Sequence, residues 1–169
     1  MAMSQSVFGP GSRIVHAAIL CLELKEFQRE TRDELDHWLQ IQLIGANAKF
    51  KRMEIGREAF LVEIAKASPR LDTSEINRRI ESDLANTHLN LSKMQVESLG
   101  RDGNAVYFSY RMNLRVGNSS RPVTGLSAIT LINSLPLTIS VYEGVGTAAS
   151  HGKLQSTLQQ ILTSVLSEN

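Results

Sequence analysis

The stretch MQVESLGRDGNAVYFSYRMNLRVGNSSRPVTGLSAITLINSLPLTISVY, from Met94 to Tyr142, decides the fold. Apolar and polar residues alternate through it, and a period of two sends successive side chains to opposite sides of a strand. Val106, Phe108, Tyr110, Met112 and Leu114 share one side of the longest segment, Ala105 to Val116. The spacing predicts four strands: Lys93 to Leu99, Ala105 to Val116, Val123 to Ile132 and Leu137 to Tyr142. Turn residues separate them at Arg101-Asp102-Gly103-Asn104, Gly117-Asn118-Ser119-Ser120 and Asn133 to Pro136. Asp-Gly is a strong hairpin signal, because glycine accepts the positive φ that tight turns need. Connections this short join antiparallel neighbours, so the segment reads as an antiparallel meander.

Downstream, from about Ser150 to Leu166, the period changes to that of a helix. Leu154, Leu158, Ile161, Leu162, Val165 and Leu166 form one stripe, which cannot stay in water and must dock on the sheet. The expected fold class is therefore α+β, an antiparallel meander sheet with helices covering one or both faces. Upstream, Arg13 to Leu24 reads as a strand, with Ile14, Ala18, Leu20, Leu22 and Leu24 largely on one face. Thr31 and Glu34 form a capping box, and Leu35, Trp38, Leu39 and Leu43 follow at helical spacing, predicting a helix from about Arg32 to Leu43 that ends at Gly45. Met53, Ile55, Phe60, Val62 and Ile64 predict a hairpin or two strands between Lys49 and Ala67. Pro69 closes that segment, and Asp72 with Glu75 opens a second helix marked by Ile76, Ile80 and Leu84.

With 169 residues, the chain suits a single α+β domain over residues 13–169, preceded by a flexible lead-in over residues 1–12. Apolar residues at 42% and charged residues at 21% are near the averages for globular proteins, which argues against wholesale disorder. Cys21 is the sole cysteine, so no internal disulfide forms, and in its apolar run it reads as a small buried hydrophobe. The run Ile14 to Leu24 falls well short of the ~20 apolar residues that cross a bilayer. Residues 1–12 carry no Lys or Arg, so they do not form the positive start of a secretory signal. The expected location is cytoplasmic, or periplasmic if a signal segment once stood in place of the lead-in.

Each enzyme-like signature in the chain lacks part of the context it requires. Gly144 to Ala149 fits G-x-G-x-x-A between a strand and a helix, yet only twenty residues follow it, with no further strand and so no acidic residue on one to hold a ribose. It reads as a glycine-rich turn, and no cofactor is expected. Ser127 follows Gly125-Leu126 but lacks the second glycine of a nucleophile elbow and falls inside a strand. Asp33 and His37 stand four apart on the expected first helix, where Glu34 or Asp36 could join them. That falls short of the three or four ligands that hold zinc, and a surface ion pair is the simpler account. His16, His88 and His151 stand alone, and Asn90 and Asn118 begin glycosylation sequons that matter only in a secreted chain. No residue is assigned a catalytic, cofactor-binding or metal-ligating role.

Nucleic-acid binding needs clustered cations with stacking aromatics. Lys49, Lys51, Arg52 and Arg57 are close in sequence, but Glu54 and Glu58 dilute them and the net charge is +1. A solvated strand face is the better reading, and Trp38 reads as core.

From about Val96 to Asn169 the order is a strand, a tight turn, the long strand VYFSYRMNLRV, the strand VTGLSAITLI, the short strand LTISVYEG, a glycine-bearing loop and the helix KLQSTLQQILTSVLSEN. This order resembles the end of the PsbP-like α/β/α sandwich, and is similar to small bacterial domains of that fold, including chaperones for secreted effectors and periplasmic proteins of unknown role. The resemblance implies a non-enzymatic role in which the domain docks on another protein, and it carries over no site residues. The expected function is a protein-binding module, an adaptor or chaperone for one secreted or envelope partner. Two alternatives stand beside it: a small-molecule or lipid carrier with an apolar pocket between sheet and helix, and a hydrolase centred on Asp33 and His37.

Overall fold

The computed structural model describes residues 13–19, 25, 28–29, 37–44, 52–68, 74, 77–78, 89–91, 94–116, 119–144 and 148–168. In chain order the elements are β1 (Arg13–Ile19), β2 (His37–Leu43), α1 (Arg57–Ala67), β3 (Leu89–Leu91), β4 (Gln95–Arg101), β5 (Val106–Val116), β6 (Ser119–Ile132), β7 (Leu135–Glu143) and α2 (Ala148–Ser167). The seven strands make one antiparallel sheet in the order β1-β2-β7-β6-β5. β3 and β4 share the outer edge of β5, with β3 along residues 114–116 and β4 along residues 106–111.

The expected meander is present as β4 to β7. Asp102 builds its first turn: Oδ1 accepts hydrogen bonds from the backbone N–H groups of Asn104 at 2.7 Å and Ala105 at 2.9 Å. Oδ2 accepts one from the Tyr107 hydroxyl at 2.8 Å. Just before the turn the β4–β5 register slips between Ser98 and Gly100, and Gly100 takes φ 89°, a bulge that glycine accommodates without strain. β6 and β7 meet through Asn133 and Ser134 alone, at φ 49° and 64°, the paired positive values of a two-residue hairpin turn. β7 consequently begins at Leu135, two residues before the expected start.

Two upstream expectations are corrected. Residues 37–43 are a strand rather than the end of a helix, because HWLQIQL alternates and β7 needs a partner along its outer edge. Leu39, Ile41 and Leu43 turn to the core beneath α2, while Trp38, Gln40 and Gln42 take the other side. Residues 57–67 are the helix α1 rather than strand, because Phe60, Leu61, Ile64 and Ala65 recur at i, i+1, i+4 and i+5. Gly56 precedes it in extended conformation without a side-chain cap, and Glu58 in the first turn and Lys66 in the last suit the helix dipole. Met53 and Ile55, expected in strands, lie exposed ahead of it. The capping pair Thr31 and Glu34, residues 1–12 and Cys21 lie outside the described residues. Of the second helix expected around Ile80, the described residues are Ser74, Asn77 and Arg78, each helical. Asn77 exchanges hydrogen bonds with the backbone of Met94, accepting from its N–H at 2.7 Å and donating to its carbonyl at 3.3 Å.

Each helix covers a different face of the sheet. On β6, Leu126, Ala128 and Ile132 face α2, whose Leu154, Leu158 and Leu162 pack on them together with Ile139 and Val141 of β7. The intervening Ile129 and Leu131 face α1 with Val106 and Phe108 of β5. Polar ties fix α1 in place: Arg57 Nε donates to the Leu131 carbonyl at 3.0 Å, and Arg101 meets Glu58 at 2.8 Å. No helix among the described residues is long and apolar enough to cross a membrane.

Leu158 is only 2% exposed at the centre of the α2 contact. Leu158→Ala is expected to cost about 3 kcal/mol in urea unfolding, whereas Gln160→Ala on the solvent side of the same helix should change stability by less than about 0.5 kcal/mol. A second expectation concerns pH. Burial pushes the Asp102 carboxyl up, but hydrogen bonds from the Asn104 N–H, the Tyr107 hydroxyl and the Ala105 N–H outweigh it, and the group sits below its ordinary value. A depressed carboxylate stabilises the fold above its unfolded-state pKa, and the contribution is lost as pH falls through the folded-state value. Asp102→Asn keeps the turn acceptor and removes the charge. Its urea midpoint should lie below that of the parent at neutral pH, with the gap closing in acid; a gap independent of pH would contradict this role.

Candidate functional site

An α-helix with its side chains is about 10 Å across and strands repeat about every 4.8 Å, so one helix covers roughly two strands. α2 spends that width on β6 and β7. The sheet continues past it to β2 and β1, and among the described residues no helix covers the floor there. The result is a groove of about 530 Å³ along one flank of α2. Its floor runs through β2 and β7 at Leu39 and Val141, its helical wall is Leu154, Thr157 and Ile161, and Ala18 of β1 stands opposite. The other flank of α2 borders a smaller recess of about 260 Å³, where Gln155 and Gln159 face Tyr107 and the exposed Leu99.

Charged groups of the larger groove gather at its rim. His37 and Glu143 are direct cross-strand partners at the end of the β2–β7 ladder, with Nε2 and Oε1 3.2 Å apart. The glutamate side chain is 15% exposed and the histidine 42%, so the acid is the inner member. Lys153 lines the same end from α2, is exposed, and has no ion-pair partner among the described residues. Thr157 of α2 and Tyr142 of β7 are the hydroxyl-bearing residues of the lining.

The opposite face carries a buried polar row. Strand register aligns Gln40, Ser140, Ser127 and Phe108 across four strands, and Trp38, Tyr142, Gly125 and Tyr110 in the next row. The Ser127 and Ser140 hydroxyls lie 2.6 Å apart, Ser127 also bonds Tyr110, and Ser140 bonds Tyr142, making a chain of four hydroxyls. Burial pushes the Tyr142 phenol well above its ordinary value, reinforced by the nearby Tyr110 and opposed by Ser140. The Tyr142 ring stacks on Trp38 at 5.1 Å and lies over Gly125, where a β-carbon would come within 2.6 Å of it. Beside them Gln40 Oε1 and Gln42 Nε2 are buried without a hydrogen-bond partner among the described residues, an arrangement that costs on the order of 1–3 kcal/mol per group.

Several residues singled out in the sequence fall into place here. Ser127 lies mid-strand, 1% exposed, within the hydroxyl chain. Trp38 is half-buried on β2 against Tyr142 rather than on a helical stripe. His37 is on a strand and pairs with Glu143; Asp33, Glu34 and Asp36 lie outside the described residues. His16 is exposed on β1, and Asn90 is in β3. Gly144 ends the sheet and α2 starts at Ala148, with the middle of the glycine-rich segment outside the described residues. Arg57 binds the Leu131 carbonyl and Arg52 is exposed, while Lys49 and Lys51 lie outside the described residues. Among the described residues no three His, Cys, Asp or Glu side chains converge as a metal site would require.

Glu143, Lys153, Val141 and Thr157 escaped sequence reasoning. The apolar stripe of α2 was the one available signal, since Leu154 and Ile161 belong both to that stripe and to the groove wall. No family model matches this chain, and no curated protein matches it either.

Proposed function

We propose that the protein is a non-enzymatic carrier that holds a small, largely apolar molecule in the groove between α2 and the β2–β7 floor. The observation that carries this reading is a cavity of about 530 Å³ with apolar walls and charged groups at one rim, the size and make-up of sites that enclose small ligands. The fold proposal goes with it: a helix on each face of an antiparallel sheet, with the C-terminal helix docked, is what a PsbP-like α/β/α sandwich would present.

Docking on a partner protein is a second reading, favoured by one feature. β1 pairs with β2 alone among the described residues, and Arg13, Val15 and Ala17 are exposed along it. Such an outer strand can accept an added strand from another chain. The bulge where the register shifts between Ile14 and His16 interrupts part of that edge.

Native mass spectrometry of freshly purified protein should show a bound mass beyond the polypeptide. After ligand removal, a neutral environment-sensitive dye such as Nile red should bind with rising fluorescence. Thr157→Trp, which fills the groove from an exposed position on α2, should abolish both signals while leaving the far-ultraviolet circular dichroism unchanged. Dye binding equal in parent and variant would contradict the carrier reading. A photoreactive side chain at position 15 that crosslinks to a second protein, with none from position 156 on α2, would favour the partner reading.

A further inference from the structure

We infer that the molecule in the groove is a free monocarboxylic amphiphile, with its carboxylate at Lys153 and its hydrocarbon chain along Leu39, Val141 and Ile161. This rests on the carrier reading above and adds the chemistry of the ligand. Three groups at the rim bear on the charge of the head. The Glu143 carboxylate is already engaged by His37, whose Nε2 lies 3.2 Å from its Oε1. Lys153 has no ion-pair partner among the described residues, so it is the rim group left to receive a head of opposite charge.

The helix that carries Lys153 adds to this preference. α2 begins at Ala148 and has no acidic residue in its first turn, so the helix itself places no carboxylate near Lys153 that would compete for its charge. The partly buried Glu143 works in the opposite sense on any second negative charge and disfavours dianions. Beyond the rim, the walls offer Leu39, Val141, Leu154 and Ile161 to a hydrocarbon chain. Each methylene buried there is worth about 0.8 kcal/mol. The groove has the volume of a single small ligand, which fits one chain rather than a two-chain lipid.

The test is isothermal titration of the full, ligand-stripped chain at neutral pH with three molecules of equal chain length: decanoate, decan-1-ol and decylammonium, each kept below its micelle threshold. Decanoate should bind about fivefold more tightly than decanol, the scale of one exposed charge pair, and added salt should narrow that ratio. Lys153→Met should bring decanoate down to the level of decanol without changing decanol itself, and Lys153→Glu should reverse the order of decanoate and decylammonium. Equal binding of acid and alcohol by the parent, or a preference that survives in Lys153→Met, overturns the inference and leaves the groove as an apolar site. A parent that prefers decylammonium overturns it in favour of Glu143 as the reader. Absence of binding for all three overturns the carrier reading as well.

Discussion

β6 is apolar on both sides, and that constraint shapes the molecule. Leu126, Ala128 and Ile132 point one way and Ile129 and Leu131 the other. A strand of this kind is stable only when both faces are covered. Its two hairpin neighbours, β5 and β7, satisfy the backbone, and a helix is required above and below. α2 answers on one side with an all-leucine ridge, while α1 answers on the other with Phe60 and Leu61 and is pinned by Arg57 to the β6 backbone. The two helices are offset, α2 toward β7 and α1 toward β4 and β5.

That offset explains where binding capacity lies. A helix centred on two strands of a wider sheet leaves an uncovered margin on each flank. On the β2 side the margin has apolar walls and a charged rim, whereas on the β5 side it is smaller and bordered by glutamines. The reverse face of the same strands is polar but closed, its hydroxyls bonded to one another.

The meander and α2 were legible from residues 94 onward because their signals are local: Asp-Gly in a turn, alternation over many residues, a stripe from Leu154 to Leu166. The upstream half was misread for one geometric reason. Residues four apart share a side in a helix and also in a strand, since four is close to a full turn and is also even. Leu35, Leu39 and Leu43 therefore fit either period, and Ile41 with its flanking glutamines was the deciding evidence for a strand. In the same way Phe60 and Ile64 fit either period, and Leu61 with Ala65 decides for a helix. The site was less legible still. Its apolar wall was visible as half of a helical stripe, but His37 and Glu143 are 106 residues apart and become neighbours only through strand pairing.

The β2–β7 ladder also has a consequence for how the chain assembles. β5, β6 and β7 close through very short turns, whereas β2 must span most of the chain to reach β7, so its arrival carries the largest loop-closure entropy in the sheet. Half of the groove floor thus comes from the strand that joins at greatest entropic cost. A molecule seated there would act as a clasp across the seam between sequence-local and sequence-distant parts of the sheet, holding β2 to the meander.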